Sequence, residues 1–151
     1  MRMRSVNSNS LHLGAMAALA LLIFATPARA EPTVSHAWIR LLPAGLPAAG
    51  YFDLHNGGGK TISLTAASSP ACGMVMLHKS ENVGGTMRMT EVQSIDVAPS
   101  ATLKFAPGGY HLMCMMPATG LKPGGQVAVT LDFADGTKVM SRFSLRNAAG
   151  R

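Results

Sequence analysis

This chain is poor in charge and in aromatic rings: charged residues make up 13% of it and aromatics 5%, with one Trp and two Tyr among 151 residues. So few stacking faces, and no basic cluster able to track phosphates, argue against nucleic-acid binding. Cysteine is scarce too. Cys72 and Cys114 stand alone and far apart, which excludes a C-x-x-C redox motif and a c-type haem site. Neither G-x-S-x-G nor a phosphate-cradling glycine loop is present, and no nucleophile is paired with a base. Asp53, Glu81 and Glu91 are scattered and lack the paired spacing of acid–base carboxylates. The chain is therefore read as not an enzyme.

A long hydrophobic run is also missing. The longest, Leu13 to Ala25, has 13 residues, short of the roughly 18–20 that a membrane-spanning helix requires. Arg2 and Arg4 precede it, and Ala28-Arg29-Ala30 follows with the small-x-small pattern read by a signal peptidase. Residues 1–30 are thus expected to be a cleaved signal peptide with cleavage after Ala30 and no retained membrane anchor. Removing Arg2, Arg4 and Arg29 lowers the net charge from +6 to about +3. Export implies an oxidising compartment, the periplasm of a Gram-negative cell. There Cys72 and Cys114 fit a structural disulfide and two separate buried thiols equally well.

What remains is short β-rich runs broken by Gly, Pro, Asn and Asp, the pattern of an all-β sandwich or barrel. Strands are expected at Val34–Arg40, Tyr51–His55, Thr61–Ala67, Gly73–Lys79, Met87–Val92, Ile95–Val97, Ala101–Phe105, Tyr110–Met116, Gln126–Phe133 and Lys138–Leu145. The last two close as a hairpin over Asp135-Gly136. A single domain over residues 31–146, followed by a frayed tail at 147–151, accounts for the length.

Two imidazoles and two thioethers stand out from this plain background. His78, Met89, His111 and Met113 read H-x10-M-x21-H-x-M. Both donor types suit a soft cation such as Cu(I), and neither is a thiol that an oxidising compartment would consume. Zn²⁺ would instead favour Cys, His and carboxylate. Strand alternation puts His111 and Met113 on one face, as it does Met87 with Met89, and Met74 and Met76 with His78. Met76 and Met87 are the auxiliary candidates. Met115, Met116 and Met140 are assigned to packing, and His36 and His55 to the surface.

The same spacing resembles that of the periplasmic copper chaperones known as PCuAC. The likeness extends to Ala37-Trp38-Ile39-Arg40, Ala48-Ala49-Gly50-Tyr51, Ser68-Ser69-Pro70, Met87-Arg88-Met89 and Pro107-Gly108-Gly109-Tyr110-His111-Leu112-Met113. The resemblance implies a cupredoxin-like Greek-key β-sandwich that binds one Cu(I) near its surface. It also implies delivery toward the CuA centre in cytochrome c oxidase subunit II, with Sco-type thiol proteins as co-workers and a monomeric carrier. One departure is Lys79, where some family members place a Met directly after the first His. Two alternatives compete with a carrier. An electron-transfer cupredoxin needs a Cys thiolate beside two His, which only Cys114 offers; a purely structural sandwich would bind no metal.

Overall fold

The computed structural model of the protein describes residues 30–151. Residues 1–29, and with them the expected leader up to Ala30, lie outside that range. All ten expected strands form: β1 (Thr33–Arg40), β2 (Ala48–His55), β3 (Ile62–Ser68), β4 (Cys72–Val83), β5 (Thr86–Glu91), β6 (Ile95–Val97), β7 (Thr102–Phe105), β8 (Tyr110–Pro117), β9 (Gln126–Phe133) and β10 (Lys138–Arg146). One 3₁₀ turn at Pro43–Gly45 interrupts the connection from β1 to β2. β4 is longer than its expected span, because Gly84 and Gly85 take positive φ and tighten the turn into β5. Glycine reaches that backbone region without the steric cost a Cβ imposes.

Hydrogen-bonded neighbours run in the order β5-β4-β8-β2-β1-β10-β9-β3-β6, with β7 also on β2. β1 joins the two halves, antiparallel to β2 and parallel to β10. Its register shifts between Ser35 and Trp38, where His36 has φ 53°. Such a bulge bends a strand and raises its twist, and here it lets one strand serve both halves. Between the layers pack Phe52, Leu54, Leu64, Val129, Leu131 and Phe143, all fully buried. Phe52 stacks on Phe105 at 4.1 Å and meets Phe143 edge-on at 5.5 Å. Alternation along each strand supplies this core while the opposite face stays available.

Two local features stabilise the frame. The disulfide left open by the sequence forms: Cys72 bonds Cys114, tying the start of β4 to the middle of β8. Asn56, 1% exposed, lies just past β2. Its side-chain nitrogen sits 2.8–3.1 Å from the Lys60, Val97 and Ala98 carbonyls, and its oxygen accepts the Gly58 N–H. Residues 147–151, expected to fray, hold a turn in which the Asn147 side chain accepts the Ala149 and Arg151 N–H groups. Gly150 closes that turn with φ +78° near the Trp38 ring.

Candidate metal centre

The β4–β8 ladder is the foundation of the site. His78 pairs with His111, and Met76 with Met113. Directly opposed residues share a face, so these four side chains project together while Leu77, Leu112 and Cys114 enter the core. β5 lies along the other side of β4, with Met89 opposite Ser80 and Glu91 opposite His78. Met89 is thus one outward position along from His78. On the far side of β8, Ala49 of β2 opposes Met113, and Arg40 of β1 opposes Ala49.

The two imidazoles meet at 74° with centroids 5.7 Å apart. His111 is only 3% exposed although it lies on the outward face. Its Nδ1 is 3.1 Å from the Gly109 carbonyl. A carbonyl only accepts, so Nδ1 carries the hydrogen and Nε2 keeps its lone pair. That Nε2 is buried without a hydrogen-bond partner among the described residues, and so is Nδ1 of His78. An unmet buried polar atom costs about 1–3 kcal/mol, and two such atoms share the single His78–His111 rung.

The turn before β8 sets this arrangement. Gly108 has φ +84°, and the next carbonyl, that of Gly109, accepts both the Ser80 N–H at 3.0 Å and the His111 Nδ1–H. One carbonyl therefore locks the tautomer of His111 and ties its turn to β4. Burial pushes the His111 imidazole below the usual histidine range, the Gly109 bond pulls it partly back, and nearby His78 lowers it again.

His111, Met113 and Met89 line a cleft of about 170 Å³, together with Ser80, Tyr51, Arg40, Ala49, Leu42, Pro47 and Gly108. None of these is a carboxylate or a thiol. The metal-ligating groups that line it, one imidazole and two thioethers, are neutral, which suits a soft monovalent ion more than a hard divalent one; the Arg40 guanidinium is the one charged group beside them. Met113 and His111 are successive outward positions on β8, and Met76 stands on the Met113 rung. Met89 is 55% exposed on an edge strand whose residues are all exposed. Met87 opposes Asn82, one step further toward the hairpin turn; neither it nor Met76 lines the cleft, and His78 stands beside the cleft across the rung from His111 rather than in its lining.

Two residues of the cleft escaped the sequence reading as site residues. The Arg40 guanidinium lies 5.3 Å from the Tyr51 ring and 5.5 Å from that of Trp38, and Tyr51 is buried beside His111. Their motifs were visible as landmarks, but only the β1–β2–β8 register carries them to the cleft. Lys79, the departure from the family pattern, pairs opposite Tyr110 and alternates away from His78. Its ammonium sits over the Tyr110 ring and pairs with Glu81.

Known proteins resemble this chain in sequence and in fold. The LpqE-like lipoprotein family matches residues 32–144. Lxx21020 of Leifsonia xyli subsp. xyli, named as a lipoprotein, is 35% identical over 105 residues, which is 69% of this chain and 63% of that protein. The chain thus spans under two thirds of that relative's length. The copper-bound PCuAC domain from PmoF2 superposes with a TM-score of 0.65 at 20% identity, over 80% of this chain and 96% of that one; this is a likeness of fold. The solution structure of CuI-DR1885 from Deinococcus radiodurans gives a TM-score of 0.62 at 27% identity, over 80% and 81% of the respective chains. With a family match across nearly all its described residues and the cupredoxin-like β-sandwich of PCuAC domains, the chain belongs to the LpqE-like, PCuAC-type family.

Proposed function

We propose that this protein is an exported copper carrier that holds one Cu(I) between His78, His111, Met113 and Met89 and passes it on by ligand exchange. The single observation that carries the reading is the pair of buried, unpartnered imidazole nitrogens on the facing His78–His111 rung. The thioethers of Met113 and Met89 flank that rung, and the copper named in the two solved PCuAC-type neighbours supports the choice of metal. The lipoprotein name of the family supports export, and the oxidising compartment explains why thioethers rather than thiols do the holding.

The cleft's chemistry suits transfer. His111 is fixed by the Gly109 carbonyl and buried, so it acts as the stationary ligand. Met89 is half exposed on an edge strand, so it is the ligand an acceptor's sulfur reaches first. In the exchange, an incoming cysteine thiolate, its proton given up to water, forms one copper–sulfur bond as the Met89 thioether leaves. No electron is transferred and the metal stays Cu(I). The acceptor class proposed is a thiol protein of the Sco type on the route to the CuA centre of cytochrome c oxidase subunit II, with this chain acting as a monomer.

The electron-transfer alternative loses its thiolate, because Cys114 is bonded to Cys72 and points into the core. The test is a Cu(I) competition titration against a chromophoric chelator in the periplasm-like oxidised state. The first equivalent should bind tightly to the parent protein, and the His78→Ala, His111→Ala double variant should lose that high-affinity binding by at least tenfold while keeping its fold. Unchanged affinity in the folded double variant would overturn the reading.

A further inference from the structure

The soft donors do not stop at the cleft. β4 and β8 continue their ladder past the His78–His111 and Met76–Met113 rungs to a third outward rung, Met74 opposite Met115. Three successive outward rungs of one strand pair therefore carry six side chains, and all six are thioether or imidazole. Eleven methionines and five histidines among 151 residues make such a run a poor product of composition.

Packing does not account for it. The core face of this strand pair is filled by Val75, Leu77, Leu112 and Cys114. Methionine ranks among the residues most often buried, yet Met74 is 52% exposed. An exposed thioether in an oxidising compartment is also open to sulfoxidation. Cross-strand partners have Cβ atoms about 4.5–5.5 Å apart, and alternate residues along a strand repeat every 6.5–7 Å or so. The long, unbranched methionine side chain closes gaps of that size readily.

We propose that Met74, Met115 and Met76 form a second soft-metal site, made of thioethers alone, that takes Cu(I) and hands it along the ladder to the histidine rung. Neutral thioether donors select a soft monovalent ion. Without an imidazole, the site binds more weakly than the cleft, which gives the ladder a direction. Each move along it exchanges one copper–sulfur bond for another: a Met74 or Met115 sulfur leaves as a Met113 sulfur binds. No proton or electron changes hands. Met76 and Met113 share the middle rung and connect the two sites. The inference rests on the carrier reading for the copper's destination and goes beyond it in assigning Met74, Met115 and Met76, which that reading does not use.

The experiment is anaerobic titration with Cu(I), and in parallel with redox-silent Ag(I), of protein labelled with ¹³C at the methionine methyl groups. The first equivalent should shift Met89 and Met113, and the second should shift Met74, Met76 and Met115. The second site should be at least tenfold weaker. In Met74→Leu, Met115→Leu, a near volume-conserving pair of changes, the stoichiometry should fall from two to one with thermal unfolding little altered. In His78→Ala, His111→Ala, the Met74 and Met115 shifts should appear with the first equivalent. Such shifts in a protein whose first equivalent never reached Met89 or Met113 would sustain this proposal and sink the histidine-centred reading. Met74 and Met115 methyl signals that stay still through three equivalents, in both the parent and the histidine variant, would overturn it.

Discussion

The identity of one hydrogen bond decides the chemistry of His111. Because the Gly109 carbonyl takes the Nδ1 hydrogen, the free lone pair is on the buried Nε2, which has no hydrogen-bond partner among the described residues. His78 brings a second buried nitrogen to the same rung. Single replacement of either histidine by Ala should weaken Cu(I) binding by at least tenfold, read by chelator competition. His111 also sets a pH dependence whose sign follows from its depressed pKa. An ordinary histidine titrates near about 6.5, and the unfolded chain takes up that proton more readily than the fold does. Stability from the buried neutral imidazole is therefore full above the ordinary value and is lost as pH falls through the lower, folded one. Thermal unfolding from pH 7.5 down to 4.5 should show the parent protein losing more than a His111→Gln variant. Copper affinity should fall over the same acid limb as protons compete for Nε2.

At the scale of elements, β4, β8 and the β4–β5 hairpin are the functional unit, and the disulfide between Cys72 and Cys114 fastens two of them together. Cross-links across loops of this length contribute about 2–4 kcal/mol. The double variant Cys72→Ala, Cys114→Ala should therefore unfold at lower denaturant concentration, with an unfolding free energy reduced by about that amount. Its copper affinity should change less than tenfold, since Cys114 faces the core and not the cleft. Strand positions were legible because alternation and turn residues are local signals: every expected strand is present, and the His111-x-Met113 pair is a direct reading of period two. The Cys72–Cys114 bond, the place of Arg40 beside the cleft and the burial of Tyr51 were not. Each depends on which strands become neighbours and in what register, and no local pattern in VSHAWIR or YFDLH encodes that β1, β2 and β8 line up as they do. The assignment of Met115 to packing has the same origin, because only the β4–β8 register shows it facing outward beside Met74.

Seen as a whole molecule, the sandwich separates stability from cargo. The inner faces of both layers hold Phe52, Phe143 and the buried aliphatics, while the soft donors occupy the outward face of β4, β5 and β8. Asn56 illustrates the separation: it anchors the chain past the end of β2, away from the Ala48–Gly50 stretch that borders β8. Asn56→Ala removes several buried hydrogen bonds and leaves carbonyls unmet, at a cost of about 2–4 kcal/mol. Denaturant unfolding should register that loss, and Cu(I) affinity should stay within about twofold of the parent.

The most direct measurement of the central claim is X-ray absorption at the copper edge of the protein loaded with one equivalent of Cu(I). The account predicts a shell of two imidazole nitrogens and two thioether sulfurs, with the imidazole scattering lost in His78→Ala, His111→Ala. A first shell of sulfur alone in the parent protein, without imidazole scattering, would contradict it.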